Sequence, residues 1–167
     1  AQCTLNNCML TGNLATNYGG GAYEGTLNNC TLTGNSANYG GGGANAGTLN
    51  NCIVYYNNAP GGANYSSGAL NYCCTTPLPT DGSGNILADP QLVSASHLSA
   101  NSPCRGAGSA AYATGTDIDG EVWATPPSIG CDEYHVGAFT GSLSASILAA
   151  FTNVAVGFPV AFTALTE

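Results

Sequence analysis

The chain has 167 residues, of which one is Lys or Arg and nine are acidic, so its formal net charge at pH 7 is −8. This charge excludes nucleic acid as a partner, because phosphate binding requires a basic surface that a single cation cannot form. Binding to anionic membrane surfaces is disfavoured for the same reason. No apolar run reaches the length of a membrane span, so membrane insertion is not expected.

The first half of the chain is a repeat with a period of 22 residues. The motif TLNNC occurs at 4–8, 26–30 and 48–52, and a weaker copy, ALNYC, follows at 69–73 after an interval of 21. A fixed period in the twenties is typical of a solenoid, in which each coil buries its apolar face only by stacking on its neighbours.

The pattern within each repeat predicts short β-strands. Leu27, Cys30 and Leu32 can all point inward if Asn28 and Asn29 turn a corner between two strands. Thr and Tyr flank these positions, and no helical spacing of three and four residues persists. The glycine runs between the repeats exclude the helical side that a leucine-rich repeat usually has. We therefore predict coils that are parallel β throughout and stacked about 4.8 Å apart.

Stacking at this period places equivalent residues in columns. One column predicts an asparagine ladder, in which amides hydrogen-bond along the stack and the backbone tolerates a left-handed conformation. A second column predicts a ladder of reduced cysteines, because a buried Cys acts as a small hydrophobe and parallel side chains seldom give the dihedral of a disulfide. The columns are Asn6, Asn28, Asn50 and Asn71, and Cys8, Cys30, Cys52 and Cys73.

Units of the type LNNCTLTGNSA followed by a glycine run resemble the repeats of right-handed parallel β-helices in bacterial surface proteins. The resemblance covers residues 1–75 and implies an all-β, right-handed parallel β-helix with about 22 residues per coil. Such β-helices include adhesins, autotransporter passengers and polysaccharide lyases. The resemblance therefore indicates a fold more strongly than a function.

Residues 76–137 are predicted to form a loop-rich closing segment. Prolines and glycines between 75 and 84 end the repeat. The motifs ADPQL, LSANSPCRG, TDIDG and IGCDEY then follow in the order found in the closing segments of bacterial β-helix proteins of the choice-of-anchor kind, which this segment resembles. The resemblance implies that the LSANSPCRG and IGCDEY motifs lie next to each other in the folded protein. It implies a Cys104–Cys131 disulfide, with two free thiols as the alternative.

The TDIDG motif supplies the candidates for a metal site, Asp117 and Asp119. Asp-x-Asp-Gly opens calcium loops, but the Glu at the twelfth position and a third acidic ligand are missing here. We therefore predict a turn stabilised by Asp side chains, with no metal and no cofactor. His97 and His135 lack a Ser or Cys partner pattern, and each is predicted to be a surface or capping residue.

Residues 138–167 are predicted to form C-terminal β-strands. Apolar and polar positions alternate around a Gly-Phe-Pro turn, a pattern that resembles the start of a PKD-type or immunoglobulin-like domain. A complete sandwich of that kind needs about seven strands, so these strands either belong to a longer protein or pair with another molecule. The candidates for self-association are Phe151, Val154, Val156, Phe158, Val160 and Phe162.

No catalytic residues are predicted. A polysaccharide lyase needs cations to hold the uronate carboxylate, and Arg105 is the single basic side chain of the chain. A glycosidase needs two carboxylates that face each other across a groove, whereas most of the acidic residues lie in predicted loops. An enzyme is therefore not expected.

The leading hypothesis is a structural protein that is extracellular or on the cell surface. An open coil exposes unpaired strand edges, so such a subunit can assemble head to tail through its open ends and its C-terminal strands. Its partners are then copies of itself or other domains of a longer surface protein. The alternative is a glycan-binding or adhesive module, in which tyrosines on the coils form an aromatic strip.

Overall fold

The computed structural model describes residues 3–137, and within that range every element of regular secondary structure is a β-strand. The described residues contain no helix that could cross a membrane. The first coil contains β1 (Thr4–Asn6), β2 (Met9–Thr11), β3 (Leu14–Ala15) and β4 (Ala22–Tyr23). The second contains β5 (Thr26–Asn28), β6 (Thr31–Thr33), β7 (Ser36–Ala37) and β8 (Ala44–Asn45). The third contains β9 (Gly47–Asn50) and β10 (Ile53–Tyr55), and the fourth contains β11 (Gly68–Asn71) and β12 (Cys74–Thr75).

Every strand pairs in parallel with its counterpart in the next coil. One sheet has the order β1-β5-β9-β11 and a second has the order β2-β6-β10-β12, while β3-β7 and β4-β8 form two shorter sheets. Leu5 pairs with Leu27, Leu27 with Leu49, and Leu49 with Leu70, which is the register that the 22- and 21-residue intervals predict. The predicted all-β parallel solenoid is confirmed.

The corner between the first two strands of each coil needs a left-handed residue, and this residue is the second Asn of the motif. Asn7, Asn29 and Asn51 have φ of 53°, 49° and 52°, and Tyr72 takes the same conformation in the fourth coil. The prediction placed the left-handed backbone in the column of the first Asn and was wrong by one residue. Asn tolerates this conformation better than other residues with a Cβ, which explains its recurrence at the corner.

The core of the solenoid lies between the sheets and consists of the residues predicted to point inward. The sides of the coils opposite these strands are glycine runs that hydrogen-bond from coil to coil, as in Gly20 N–H to Gly41 O at 3.0 Å. A Cβ at Gly42 would collide with the carbonyl oxygens of Asn58 and Ala63, so glycine is required for this close approach. The buried core residues are Leu27, Cys30, Leu32, Ala44, Leu49, Cys52, Val54, Leu70 and Cys73.

A second, buried asparagine ladder lies inside the coils, where the sequence pattern indicated only a break between strands. Asn35 is 1% exposed, and its Nδ2 donates to the Leu10 carbonyl at 2.8 Å and to Asn57 Oδ1 at 3.0 Å. Its Oδ1 accepts hydrogen bonds from the main-chain and side-chain nitrogens of Asn13 at 3.0 and 2.9 Å. The ladder continues from Asn57 to Asn64. These amides satisfy backbone groups that the turn between strands leaves unpaired.

The closing segment covers the end of the fourth coil. Cys73 N–H donates to Asn85 Oδ1 at 2.9 Å, and Thr75 N–H donates to Ile86 O at 3.1 Å. These bonds pair the backbone that follows β11 and that of β12 with the chain near residue 85. The predicted loop at 75–84 thus connects the fourth coil to a short segment around Ile86 that pairs with it in parallel.

The closing segment then runs back along the outside of the second sheet towards the first coil. Gly130 N–H donates to Asn51 O in the third coil, and Cys131 N–H donates to Thr31 Oγ1 in the second. Asn7 in the first coil donates to the carbonyls of Thr114 and Thr116 at 3.0 and 2.6 Å. A second core fills the interface, formed by Ile53, Cys74, Leu98, Cys104 and Ile129.

The predicted Cys104–Cys131 disulfide is not formed, and all eight cysteines are free. The two motifs are neighbours as the family resemblance implied, since Ile129 N–H donates to Cys104 O at 2.9 Å. Their thiols nevertheless have different partners. Cys104 lies next to the Cys74 thiol, and Cys131 lies next to Thr31 and Cys30.

The C-terminal strands predicted for 138–167, including the six apolar candidates for self-association, lie outside the described residues.

Replacing Asn35 with Ala removes a buried amide that bonds to the partly buried Leu10 carbonyl, to buried Asn57 and to exposed Asn13. We expect the free energy of unfolding to fall by about 3 kcal/mol, because buried unsatisfied polar groups cost roughly 1–3 kcal/mol each. Urea unfolding followed by far-UV circular dichroism measures the change. Asn38, which is exposed, is the matched control, and N38A should change stability by less than about 0.5 kcal/mol. Equal losses in both variants would contradict a stabilising role for the buried ladder.

Candidate functional site

The first coil leaves one end of the solenoid open among the described residues. β1 and β2 are the edge strands of the two four-stranded sheets, and each pairs with a neighbour on one side. The inward residues Leu5, Cys8 and Leu10 remain partly exposed, whereas their equivalents one coil later are at most 2% exposed. This open face therefore combines unpaired backbone groups with a slice of apolar core, the combination that allows another β-strand to add.

The predicted asparagine ladder is present as a chain of side-chain hydrogen bonds on the outside of the first sheet. Asn28 donates to Asn6 and Asn50 donates to Asn28, each at 2.9 Å, and Asn71 donates to Asn50 at 3.2 Å. The Asn side chains become less exposed from the first coil to the third: Asn6 is exposed, Asn28 is partly buried and Asn50 is buried. The ladder fixes the register between coils and ends at the open face.

The predicted cysteine column lies in the solenoid core. Each buried thiol donates to the carbonyl two residues earlier, as in Cys52 Sγ to Asn50 O at 3.2 Å and Cys73 Sγ to Asn71 O at 3.3 Å. Burial raises the pKa of the Cys52 thiol well above its ordinary value, and the neighbouring Cys52 thiol together with burial raises the pKa of Cys30. Thiols held protonated in this way are unreactive, so this column packs the core and offers no nucleophile.

The tyrosines of the coils do not form a single strip. Tyr18 and Tyr39 form a tilted pair, with ring centroids 5.6 Å apart and ring planes inclined by 36°, and are 48% and 60% exposed. Tyr55 and Tyr56 form an edge-to-face pair at another corner of the coil. Tyr65 instead lines a surface depression of about 280 Å³. One exposed pair is thus available for contact with a flat apolar ligand.

Two charged residues of the closing segment make contacts within that segment. Arg105 lies 4.1 Å from the ring centre of Tyr134, and its guanidinium donates to the Ala100 carbonyl. Buried Glu133 accepts hydrogen bonds from the main chain and hydroxyl of Ser128 at 2.8 and 2.7 Å. Both side chains therefore help to hold the closing segment together.

The two aspartates of the TDIDG motif have different positions. Asp117 is 5% exposed, and its Oδ1 accepts hydrogen bonds from the main-chain nitrogens of Asp119 and Glu121 at 3.0 and 2.7 Å. Its Oδ2 accepts from Glu133 N–H at 2.9 Å. Asp117 thus stabilises the turn, as the sequence predicted for this motif. The Asp119 side chain leaves the turn and meets His97, with Oδ2 2.9 Å from Nε2.

Three loops of the closing segment bring His97, Asp119 and Asp132 together. One ligand atom from each lies within 4.8 Å of the others, so these three residues could hold a metal ion. His97 was predicted to be a surface or capping residue, and at 7% exposed it does not lie at the surface; Asp132 is 1% exposed. Sequence reasoning missed His97 and Asp132 because residues on separate loops have no fixed spacing. The one signal in the sequence was that Asp132 lies within the IGCDEY motif.

The environment of Asp132 disfavours its charge. Burial, with a smaller contribution from the nearby Asp117 and Asp119, raises the pKa of Asp132 to about 6, although the Leu98 N–H and His97 oppose the shift. Oδ2 accepts the Leu98 N–H at 2.8 Å, whereas Oδ1 is buried without a hydrogen-bond partner. A buried carboxylate oxygen of this kind is costly unless a cation or a proton satisfies it.

The pKa of Asp132 predicts how D132N changes stability with pH. The pKa of Asp132 is about 6 in the folded state and near 4 in the unfolded state, so the folded state favours the protonated carboxyl. The contribution of Asp132 to the free energy of unfolding is therefore fully present below about pH 4 and is lost as the pH rises through 6. Asn carries no charge and lacks this loss. In metal-free buffer, D132N should therefore exceed the wild type by up to about 2 kcal/mol in free energy of unfolding at pH 8, and by less at pH 5. Urea unfolding at both pH values measures the difference, and a constant difference would contradict the prediction.

No family model matches the chain, and neither the curated proteins nor the solved structures contain a match.

Proposed function

We propose that this chain is a non-catalytic structural module of an extracellular surface protein and that it self-associates through the open face of its first coil. The observation that carries the proposal is the contrast between the ends of the coil stack. The fourth coil is paired with the closing segment, whereas β1 and β2 keep unpaired edges around partly exposed core residues. Proteins usually cover such edges, because an exposed edge strand is a template for pairing.

The proposed occupant of the open face is a second copy of the chain. The face carries the TLNNC pattern itself, so a strand or coil of the same chain complements its spacing. The closing segment also returns to this end of the stack, since Asn7 bonds to Thr116, Thr116 bridges to Val122, and His135 contacts the Val122 carbonyl at 3.1 Å. The alternating apolar and polar residues predicted to form strands follow this part of the closing segment in the sequence. We propose that a strand from these residues pairs with the face of another copy.

Composition and motifs support the extracellular assignment. One basic residue in 167, together with the closing motifs that resemble choice-of-anchor proteins, is typical of exported bacterial surface proteins. The resemblance of the C-terminal residues to the start of a PKD-type or immunoglobulin-like domain is in keeping with the same location. In this setting the coils act as a spacer or as an assembly unit.

The test of self-association is a charge on the open face. L10K places an ammonium group on the apolar slice where a second copy would stack, and M9K places the same group on the neighbouring side chain, which is already 42% exposed. We expect the unaltered chain to form oligomers or fibres by light scattering and negative-stain electron microscopy. L10K should dissociate them, because burying an unpaired charge is costly, and M9K should leave them intact.

Truncation of residues 142–167 distinguishes between the possible occupants of the open face of the first coil. Loss of assembly on truncation supports a strand donated by these residues to another copy. A chain that is monomeric at full length and associates only after truncation would show that its own C-terminal residues cover the face, and it would overturn self-association. Monomers in both forms would also overturn it.

Glycan binding is the second candidate function, and the exposed Tyr18–Tyr39 pair favours it. Exposed aromatic rings provide apolar surfaces for the faces of sugar rings, and these two rings, with centroids 5.6 Å apart and planes inclined by 36°, place two such surfaces side by side. On a glycan array, Y18A and Y39A should each reduce any signal at least about tenfold. Y23A, which removes a ring that is 58% exposed and lies outside the pair, should not. An unaltered signal in the paired variants would eliminate this site.

A further inference from the structure

We propose that the closing segment binds one divalent transition-metal cation between His97, Asp119 and Asp132. The three residues come from three loops and each offers a ligand atom within 4.8 Å of the other two. Metal–ligand bonds of about 2.0–2.2 Å place the ligands of one ion roughly 3–4 Å apart, so small side-chain movements complete the site. Asp119, with 29% of its side chain exposed, has room to move from its 2.9 Å contact with His97 and admit an ion.

The buried oxygen of Asp132 is the observation that points to a ligand. Asp132 is 1% exposed, its Oδ2 accepts the Leu98 N–H, and its Oδ1 has no hydrogen-bond partner among residues 3–137. A carboxylate oxygen in this position has lost its water without gaining a donor, which is a costly arrangement. A cation bound between Oδ1, His97 and Asp119 supplies the missing partner.

The surroundings of His97 prepare its ring for metal binding. Nδ1 lies 2.6 Å from Ser94 Oγ and 3.1 Å from Ser96 Oγ. Ser94 Oγ already accepts the main-chain N–H groups of Ser96 and His97, so Ser96 Oγ is the hydroxyl that can accept an Nδ1 proton. When a cation takes the place of the Nε2–H to Asp119 hydrogen bond, a proton on Nδ1 leaves the Nε2 lone pair for the ion. Metal-bound histidines characteristically donate their second ring N–H to an oxygen in this way, which fixes the orientation of the ring.

The charge of the cluster indicates a cation, and its donor atoms indicate the class. Asp117 lies close enough to affect Asp132, so three carboxylates surround one imidazole. The single basic residue, Arg105, is engaged over Tyr134 and does not balance them. One imidazole nitrogen with two carboxylates suits Zn²⁺ or Co²⁺, whereas Ca²⁺ and Mg²⁺ prefer all-oxygen sites.

The site would join the loops that contain residues 94–98, 117–121 and 129–133 to each other. A ligand that binds the folded state alone stabilises it in proportion to the logarithm of the ligand concentration. The proposed cation is thus structural: it cross-links the loops of the closing segment and stabilises the folded state. This role is independent of self-association at the open face.

The experiment is a titration of metal-free protein with Co²⁺ in a C3S background, which removes the exposed thiol. Visible absorption reports the ligand type, and thermal unfolding reports the linked stability. We expect one equivalent to bind with a spectrum free of thiolate-to-metal charge transfer, and the midpoint of unfolding to rise with Co²⁺ concentration. H97Q, D119N and D132N should each weaken binding at least about tenfold, the effect expected of lost ligands.

Two matched controls change the same residue types elsewhere. H135Q alters a more exposed histidine and D81N alters an exposed aspartate, and both should bind within about twofold of the wild type. Since the Asp119 side chain is partly exposed and accepts no main-chain hydrogen bond, D119N keeps the test decisive if H97Q does not fold. Absence of binding, binding that survives D119N and D132N, or a thiolate spectrum overturns the proposal.

Discussion

Parallel pairing of each coil with the next is the constraint on which the rest of the structure depends. The chain must return to the same point after 22 residues so that Leu5, Leu27 and Leu49 fall in register. A shift of one residue would turn every inward side chain outward, because side chains along a strand alternate between its faces. Two asparagine ladders oppose such a shift, one outside the first sheet and one buried within the coil. Their amides can bond along the stack in the native register only.

The closing segment extends this stack by means that differ from the coils. It pairs with the fourth coil through Asn85 and then returns along the second sheet to reach Asn7 in the first. Its stability comes from a small core and from buried carboxylates, such as Asp117 and Glu133, that accept main-chain hydrogen bonds. Because almost no basic side chains are available, backbone N–H groups serve as the partners of these acids. Asp132 has one oxygen that this arrangement leaves unsatisfied.

The two proposals concern different parts of the structure, the first coil of the solenoid and the loops of the closing segment. In the first proposal, a second copy associates with the edge strands and partly exposed core residues of the first coil through backbone pairing and apolar contact. The loop-rich closing segment lacks the repeating hydrogen bonds of the coils. In the second proposal, a bound cation stabilises this segment by cross-linking its loops. The first proposal depends on Leu10 and its neighbours, and the second depends on His97, Asp119 and Asp132. The two can therefore be tested separately.

The sequence by itself determined the solenoid, its period, the inward residues and the outer asparagine ladder, because these follow from local alternation and exact repetition. It also identified Asp117 as a turn residue, since Asp-x-Asp-Gly is a local motif. Tertiary structure decided which thiols lie together, since Cys104 meets Cys74 and not Cys131. It alone placed His97 beside Asp119 and Asp132, because three loops converge only once the segment packs on the coils. Contacts of this kind depend on the path of the chain in space, and no spacing in the sequence encodes that path.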